Sequence, residues 1–225
     1  MKTKIASSVL CGLVLMSPLA AQAHQAGDWL VRGGIINVSP DDSSGNVYVD
    51  GLGSTDMGVG VDDDTQIGLN FAYMFTDNIA VELLAATPFT HDVDLENSQL
   101  GLGDGKLAEV SHLPPTLSVQ YFFGTSESVF RPYVGLGLNY TVFFDEEFSG
   151  SRKEQGFSDL DLDSSFGWSA QLGADYSINK DWFVNAQVRY IDISTDADFK
   201  VGGAKSSVSV DIDPWVYMAS VGYRF

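Results

Sequence analysis

The residues with the most chemical potential in this chain are its acids and its three histidines. Acidic runs occur at Asp62-Asp63-Asp64, at Asp145-Glu146-Glu147 and at Asp159, Asp161 and Asp163. Clustered carboxylate oxygens suit calcium or magnesium. None of the runs has the full EF-hand spacing, however, and a solvated acidic rim is the simpler reading of a charge run. His24, His91 and His112 are too scattered to read as a metal centre. Ser111 and His112, with nearby acids, imitate the composition of a nucleophilic triad. A triad needs its members within hydrogen-bond reach, and strand neighbours point to opposite faces, so no catalytic residue is assigned. Gly101-Leu102-Gly103-Asp104-Gly105-Lys106 lacks the spacing of a phosphate loop and has Leu107 where Ser or Thr must hold magnesium. Gly135-Leu136-Gly137 is followed by no helix. Neither a metal nor a cofactor is expected.

The elements that would position these residues are announced at the chain's two ends. Two lysines in Met1–Lys4, an apolar run from Ile5 to Leu19 and the small-residue site Ala21-Gln22-Ala23 make a secretory signal peptide over 1–23. The run is too short for a membrane span, which needs about 20 apolar residues. The expected mature domain, 24–225, contains no cysteine, which excludes disulfides and thiolate chemistry. It keeps 10 basic residues against 30 acidic ones, and so is no nucleic-acid binder. At the other end, Trp215, Tyr217, Ala219, Val221, Tyr223 and Phe225 share one strand face. Tyr223 and the terminal Phe225 have the form of an outer-membrane assembly signal, implying a barrel-assembly machinery as partner during biogenesis.

Between these ends the period is two. Apolar faces run through Trp29–Ile35, Ile67–Phe75, Val81–Ala85, Leu117–Phe123, Val134–Val142, Phe166–Tyr176, Trp182–Tyr190 and Trp215–Phe225, giving eight strands. A soluble barrel would alternate in the same way with its faces exchanged. Aromatics near the strand ends, the export signal and alternating short and long connections favour lipid outside. Short turns fall at 76–78, 124–128 and 179–181, and long loops at 39–65, 88–111, 143–164 and 194–209. The fold class is therefore all-β: an eight-stranded antiparallel transmembrane barrel with short periplasmic turns and four longer extracellular loops. Its place is the outer membrane of a Gram-negative bacterium, in contact with lipid and lipopolysaccharide.

Several blocks resemble the outer membrane protein W family. They are His24-Gln25-Ala26-Gly27-Asp28, Thr76 to Phe89, His112-Leu113-Pro114-Pro115-Thr116-Leu117, Phe130 to Gly135, and the Asp213–Phe225 ending. The resemblance implies an eight-stranded barrel with a narrow lumen that assists passage of small hydrophobic solutes. It also implies, for some members, stress responses or capture of a phage or bacteriocin ligand.

The inward faces mix apolar Leu30, Ile36, Met74, Leu84, Phe122 and Met218 with charged Arg32, Glu82, Asp175, Arg189 and Arg224. One reading is an apolar pocket in the outer half above a charged plug, in which the arginines find Glu82 and Asp175. The other is a solid barrel that passes nothing, since eight strands leave little volume. Pro88, Pro114 and Pro115 flank one long loop. Proline cannot donate to a ladder, so these residues either open a lateral gap between strands three and four or simply end strands at the rim. Solute passage leads; an acidic-loop receptor and a structural barrel are the alternatives.

Overall fold

The computed structural model describes residues 24–98 and 101–225; the signal peptide read at 1–23 lies outside the described residues. Eight strands close on themselves. They are β1 (Trp29–Ser39), β2 (Asp64–Met74), β3 (Ile79–Ala86, continuing as Phe89–Glu96), β4 (Gly105–Leu113, continuing as Thr116–Phe122) and β5 (Phe130–Phe148). The rest are β6 (Phe157–Leu162 and Ser165–Ser177), β7 (Trp182–Ile191 and Ser194–Val201) and β8 (Ala204–Asp211 and Trp215–Arg224). Each strand pairs antiparallel with its neighbours, and β1 pairs with β8 from Leu30↔Arg224 to Ser39↔Trp215 to close the ring. Closure is what lipid demands, because an open sheet edge would leave backbone groups without partners.

The side chains sort by face as the alternation requires. Ile67 and Leu136 are each 69% exposed to lipid, whereas Arg32, Asn70 and Glu82, which point inward, are 0% exposed. Aromatic girdles mark both interfaces. On the periplasmic side Trp29 packs on Tyr73 and Trp182 on Tyr223 (centroids 5.0 and 4.9 Å), and on the outer side Trp168, Tyr190 and Trp215 form a chain.

The long loops are mostly not loops. β5 alone has 19 residues, about twice what a membrane strand needs. Most of 88–111, 143–164 and 194–209 is strand, and β7 and β8 join through only Gly202 and Gly203, both at positive φ (58° and 85°). That pair is the signature of a tight type I′ hairpin. Alternation continues above the membrane with its chemistry inverted: in β7 the inward Ala197 and Phe199 are buried, while Asp196 and Asp198 face out. The outer extension therefore has its own apolar core, built from Val49, Val59, Leu107, Phe148, Phe157, Phe199 and Val208 among others. Arg152, in the short helix Gly150–Glu154, donates to the carbonyls of Leu102, Gly103 and Gly105 and pins that connection across the mouth.

Inward glycines let so narrow a barrel close. A Cβ on Gly34 would lie 2.0 Å from the Ala219 carbonyl oxygen, and one on Gly173 would lie 2.4 Å from the Tyr133 ring. A Cβ on the lipid-facing Gly33 would meet only Leu69 Cδ1, at 3.8 Å. Gly34→Ala should therefore lower the free energy of unfolding by about 1–3 kcal/mol. Gly33→Ala should shift it by less than about 0.5 kcal/mol in the same denaturant titration.

Candidate functional site: a lumen divided by a charge plug

The lumen is layered. Nearest the periplasm lie Leu30, Ala72, Met74, Ala80, Phe122, Tyr133 and Phe183. Leu30, Met74 and Phe122 were expected in the outer pocket. They instead lie below the plug, because their strand positions run from the charged residues back toward the periplasmic turns. Ile36, Leu84 and Met218 lie above it, packed with Val38, Phe89, Phe143 and Ile191.

Between the layers sits the charged network. Arg32 Nη1 donates to Glu82 Oε2 and its Nη2 to Asp175 Oδ2, each at 2.9 Å, with all three side chains buried. Arg189 Nη2 donates to Glu82 Oε1 at 2.6 Å, and Asn70 and Asn185 donate to Glu82 and Asp175. The four residues Arg32, Glu82, Asp175 and Arg189 thus form one cluster. Arg224 does not join it. It lies at the periplasmic end of β8, 3.5 Å from Asp28, because the last turn of the ladder carries it past the plug.

Two residues missed in the sequence seal the periplasmic end. His24 Nε2 lies 2.7 Å from Asp175 Oδ2, and the ring packs edge-on to Phe183. Arg131 donates to the carbonyls of His24 (2.7 Å) and Asp77 (2.6 Å). Arg131 occupies an inward position of β5, in phase with Tyr133 and Gly135, so its period was the available signal.

Above the plug an apolar chamber of about 70 Å³ is lined by residues including Val59, Val93, Phe143, Ala197, Phe199 and Val208. One water needs roughly 10–15 Å³ by the same measure. A wider cavity of about 240 Å³, bordered by Leu52, Met57, Leu95 and Leu102, lies at the outer mouth.

The wall beside this chamber is interrupted. β3 and β4 pair up to Leu84↔Thr116 and resume at Phe89↔His112; among the described residues no register pair joins 85–88 to 113–115. Each edge is held from its other side: Thr87 donates to Ile67 at 3.1 Å, and Tyr140 donates to Pro115 at 3.2 Å. Pro88, Pro114 and Pro115 border the interval. A small cavity there runs from Ile36 and Val216 in the lumen to Ala85 and Pro114 in the wall.

The scattered histidines prove partly adjacent. His91 Nε2 and His112 Nε2 are 2.9 Å apart, across the outer β3–β4 hairpin just beyond the lipid belt. Ser111 faces elsewhere, 3.0 Å from Thr90 Oγ1. Among the acids, Asp64 caps Thr90 at 2.9 Å and Asp159 pairs with Lys200 at 2.8 Å. Burial lowers the pKa of His91, against a smaller upward pull from the Asp62 carbonyl and from Asp62, Asp63 and Asp64. Burial and the neighbouring His91 together lower His112 to about 3.

A closed barrel with two aromatic girdles, a polar lumen and an apolar outer half is an outer-membrane protein of the small-barrel class. The OmpW family model matches residues 25–225, and the chain belongs to that family. Outer membrane protein W of Vibrio cholerae serotype O1 is 49% identical over 220 residues, covering 96% of this chain and 98% of its own. The crystal structure of OprG from Pseudomonas aeruginosa matches with a TM-score of 0.85 at 49% identity, over 91% of this chain and 99% of its own. The dibenzothiophene metabolism operon protein PahQ of Pseudomonas aeruginosa is 26% identical over 88% of each chain.

Two tests follow from this geometry. Glu82→Ala removes the carboxylate that pairs with Arg189 and one of the two that pair with Arg32, and should lower unfolding free energy by about 3–5 kcal/mol in denaturant titration; Asp198→Ala, on the outer surface, should change it little. The histidine pKa values are depressed in the fold, so its stability contribution is complete above about pH 6.5, the unfolded value. It is lost as pH falls from there toward the folded values. Amide exchange in 89–96 and 105–113 should therefore speed up between pH 7 and pH 4.5 after correction for intrinsic rates, and His112→Phe should blunt that change.

Proposed function

We propose that this barrel carries small hydrophobic molecules across the outer membrane, taking them into the outer chamber and releasing them sideways between β3 and β4. The observation that carries the reading is the placement of the wall interruption. It lies beside the apolar chamber and above a plug built from four charged side chains. An apolar guest gains nothing by entering that plug, since desolvating paired charges without replacing their bonds is costly. The surrounding bilayer is the favourable exit, at roughly 25 cal/mol for each Å² of apolar surface kept out of water. Proline at the gap supplies no ladder donor. The relationship to PahQ points the same way, because dibenzothiophene is a small apolar heteroaromatic.

On the outer surface, Asp161, Asp196 and Asp198 face away from the chamber on strands. That acidic surface would meet lipopolysaccharide and, in the second reading, a phage or bacteriocin ligand. At the seam, Phe225 exchanges backbone hydrogen bonds with Trp29 (2.9 and 3.4 Å), which is where an assembly signal at Tyr223 and Phe225 would act as β1 and β8 close.

Replacing Pro88, Pro114 and Pro115 together with threonine should slow uptake of an apolar tracer into liposomes bearing the refolded barrel, and Ala197→Trp should block the chamber itself. Unchanged uptake in the triple variant, with the barrel folded, would remove the lateral route. Loss of uptake on neutralising Asp161, Asp196 and Asp198 would shift function to the outer surface.

A further inference from the structure

The run Gly101-Leu102-Gly103-Asp104-Gly105-Lys106, which lacks the spacing of a phosphate loop, holds a cation instead. Gly101, Gly103 and Gly105 all take positive φ (76°, 72° and 115°). A Cβ on any of the three would meet nothing within 4 Å, so backbone conformation and not space calls for glycine here. That conformation gathers four carbonyls around one guanidinium, that of Arg152. Its Nη1 donates to the Leu102 carbonyl at 2.8 Å and to Gln155 Oε1 at 3.0 Å. Its Nη2 donates to Gly103 at 2.7 Å and Gly105 at 3.1 Å, and its Nε to Lys106 at 3.3 Å. A guanidinium has five N–H donors, and each one is used. Arg152 is buried by these contacts, at 4% exposure.

What this latch holds is the border of the outer cavity. Leu102 and Gly103 lie beyond Leu95↔Gly105, the last described ladder pair of β3 with β4. Arg152 fastens them to the β5–β6 connection, and Gln155 Nε2 adds a bond to the Leu102 carbonyl at 3.2 Å. The Leu102 side chain packs against the apolar core of the outer extension and lines the cavity of about 240 Å³ at the mouth. Leu107 from β4 and Phe199 from β7 line both that cavity and the inner chamber, and so form the wall the two spaces share. The Leu107 carbonyl accepts from the Ser149 amide at 3.0 Å, and the Lys106 carbonyl accepts from Ser149 Oγ at 3.1 Å as well as from Arg152. Arg152 and Ser149 thus fix the backbone from the rim of the mouth to the threshold of the chamber.

We infer that Arg152 is the positioning residue that limits the width of apolar guest admitted from the outer mouth to the chamber. It lines neither cavity itself and acts through Leu102 and Leu107. The inference rests on the proposed passage of hydrophobic molecules and adds the place where size is selected. Without the latch, the stretch from Leu102 to Leu107 loses its anchor on the β5–β6 side, and the space between Leu107 and Phe199 widens.

The test uses naphthalene and pyrene, a narrower and a wider fused-ring hydrocarbon. Both are offered at equal free concentration to liposomes that carry the refolded barrel beneath an outer leaflet of lipopolysaccharide, with protein-free liposomes subtracted. The readout is the ratio of pyrene to naphthalene uptake rate, which a mere loss of folded protein does not move. The parent should favour naphthalene. In Arg152→Gln the ratio should rise by about tenfold or more, the factor carried by one hydrogen bond to a charged group. Leu102→Ala leaves the latch in place and shortens the side chain it holds, so it should raise the ratio as well. That second variant keeps the inference open to refutation even if Arg152→Gln fails to fold. An unchanged ratio in either variant, with the barrel folded, would overturn the inference and leave hydrophobic passage standing. Uptake of neither hydrocarbon by the parent would defeat the passage reading, and the inference with it.

Discussion

The buried contact of Arg32 with Glu82 and Asp175 is the constraint around which the barrel is arranged. An eight-stranded ring is just wide enough inside for side chains, so charges in its lumen cannot be left hydrated by a continuous channel. They must meet one another. Arg32 bridges two carboxylates, Arg189 shares one of them, Asn70 adds a second donor to Glu82 Oε2, and Asn185 donates to Asp175 Oδ1. Breaking such a cluster leaves uncompensated buried charge, which is worse than never having built it. The cluster therefore sets the floor of the outer chamber, and the inward glycines and Tyr133 are sized to fit around it.

Everything above that floor follows from a change in what surrounds the wall. Within the bilayer, strands put apolar residues outward and polar ones inward; beyond the outer girdle the same strands do the reverse. In β7 the inward series passes from Asn185, Gln187 and Arg189 to Ile191, Ala197 and Phe199, while the outward series passes from Val188 and Tyr190 to Asp196 and Asp198. Between β7 and β8 the register is the same on both sides of the boundary, from Tyr190↔Trp215 to Ser194↔Asp211, and what changes is the solvent outside. An apolar interior thus stands above the membrane, walled by strands, and the β3–β4 ladder beside it is interrupted where Pro88, Pro114 and Pro115 stand.

Much of this was legible in the sequence. Eight period-two segments gave the strand count and the lipid face; buried-charge chemistry predicted that Arg32, Arg189 and Arg224 would meet Glu82 and Asp175, and of these Arg32 meets both, Arg189 meets Glu82, and Arg224 pairs with Asp28. The outer extension was hidden because acids such as Asp159, Asp161 and Asp163 read as loop, when the informative signal was the inverted alternation and the Gly202-Gly203 hairpin between 194 and 211. Height within the lumen was legible but not used: Arg32 stands between Leu30 and Ile36 on one face of β1, so that strand alone already puts Leu30 on the periplasmic side of the plug. The contact of His91 with His112 depends on the pairing of β3 with β4 after an extra residue in 85–88, a shift that no local pattern announces. His24 escaped because it precedes the first alternating segment, while Arg131, in phase with Tyr133 and Gly135, stood just before the stretch Val134–Val142 from which that strand was read.

The central proposal is that the lumen is closed to ions at the charge plug while apolar molecules pass around it through the wall. Uptake of an apolar tracer and leakage of potassium, recorded together in liposomes bearing the refolded barrel, test it directly. The account predicts uptake that rises with protein content while potassium leakage stays at the level of empty liposomes. Leakage that rises in step with uptake would place the route straight through the lumen and contradict it.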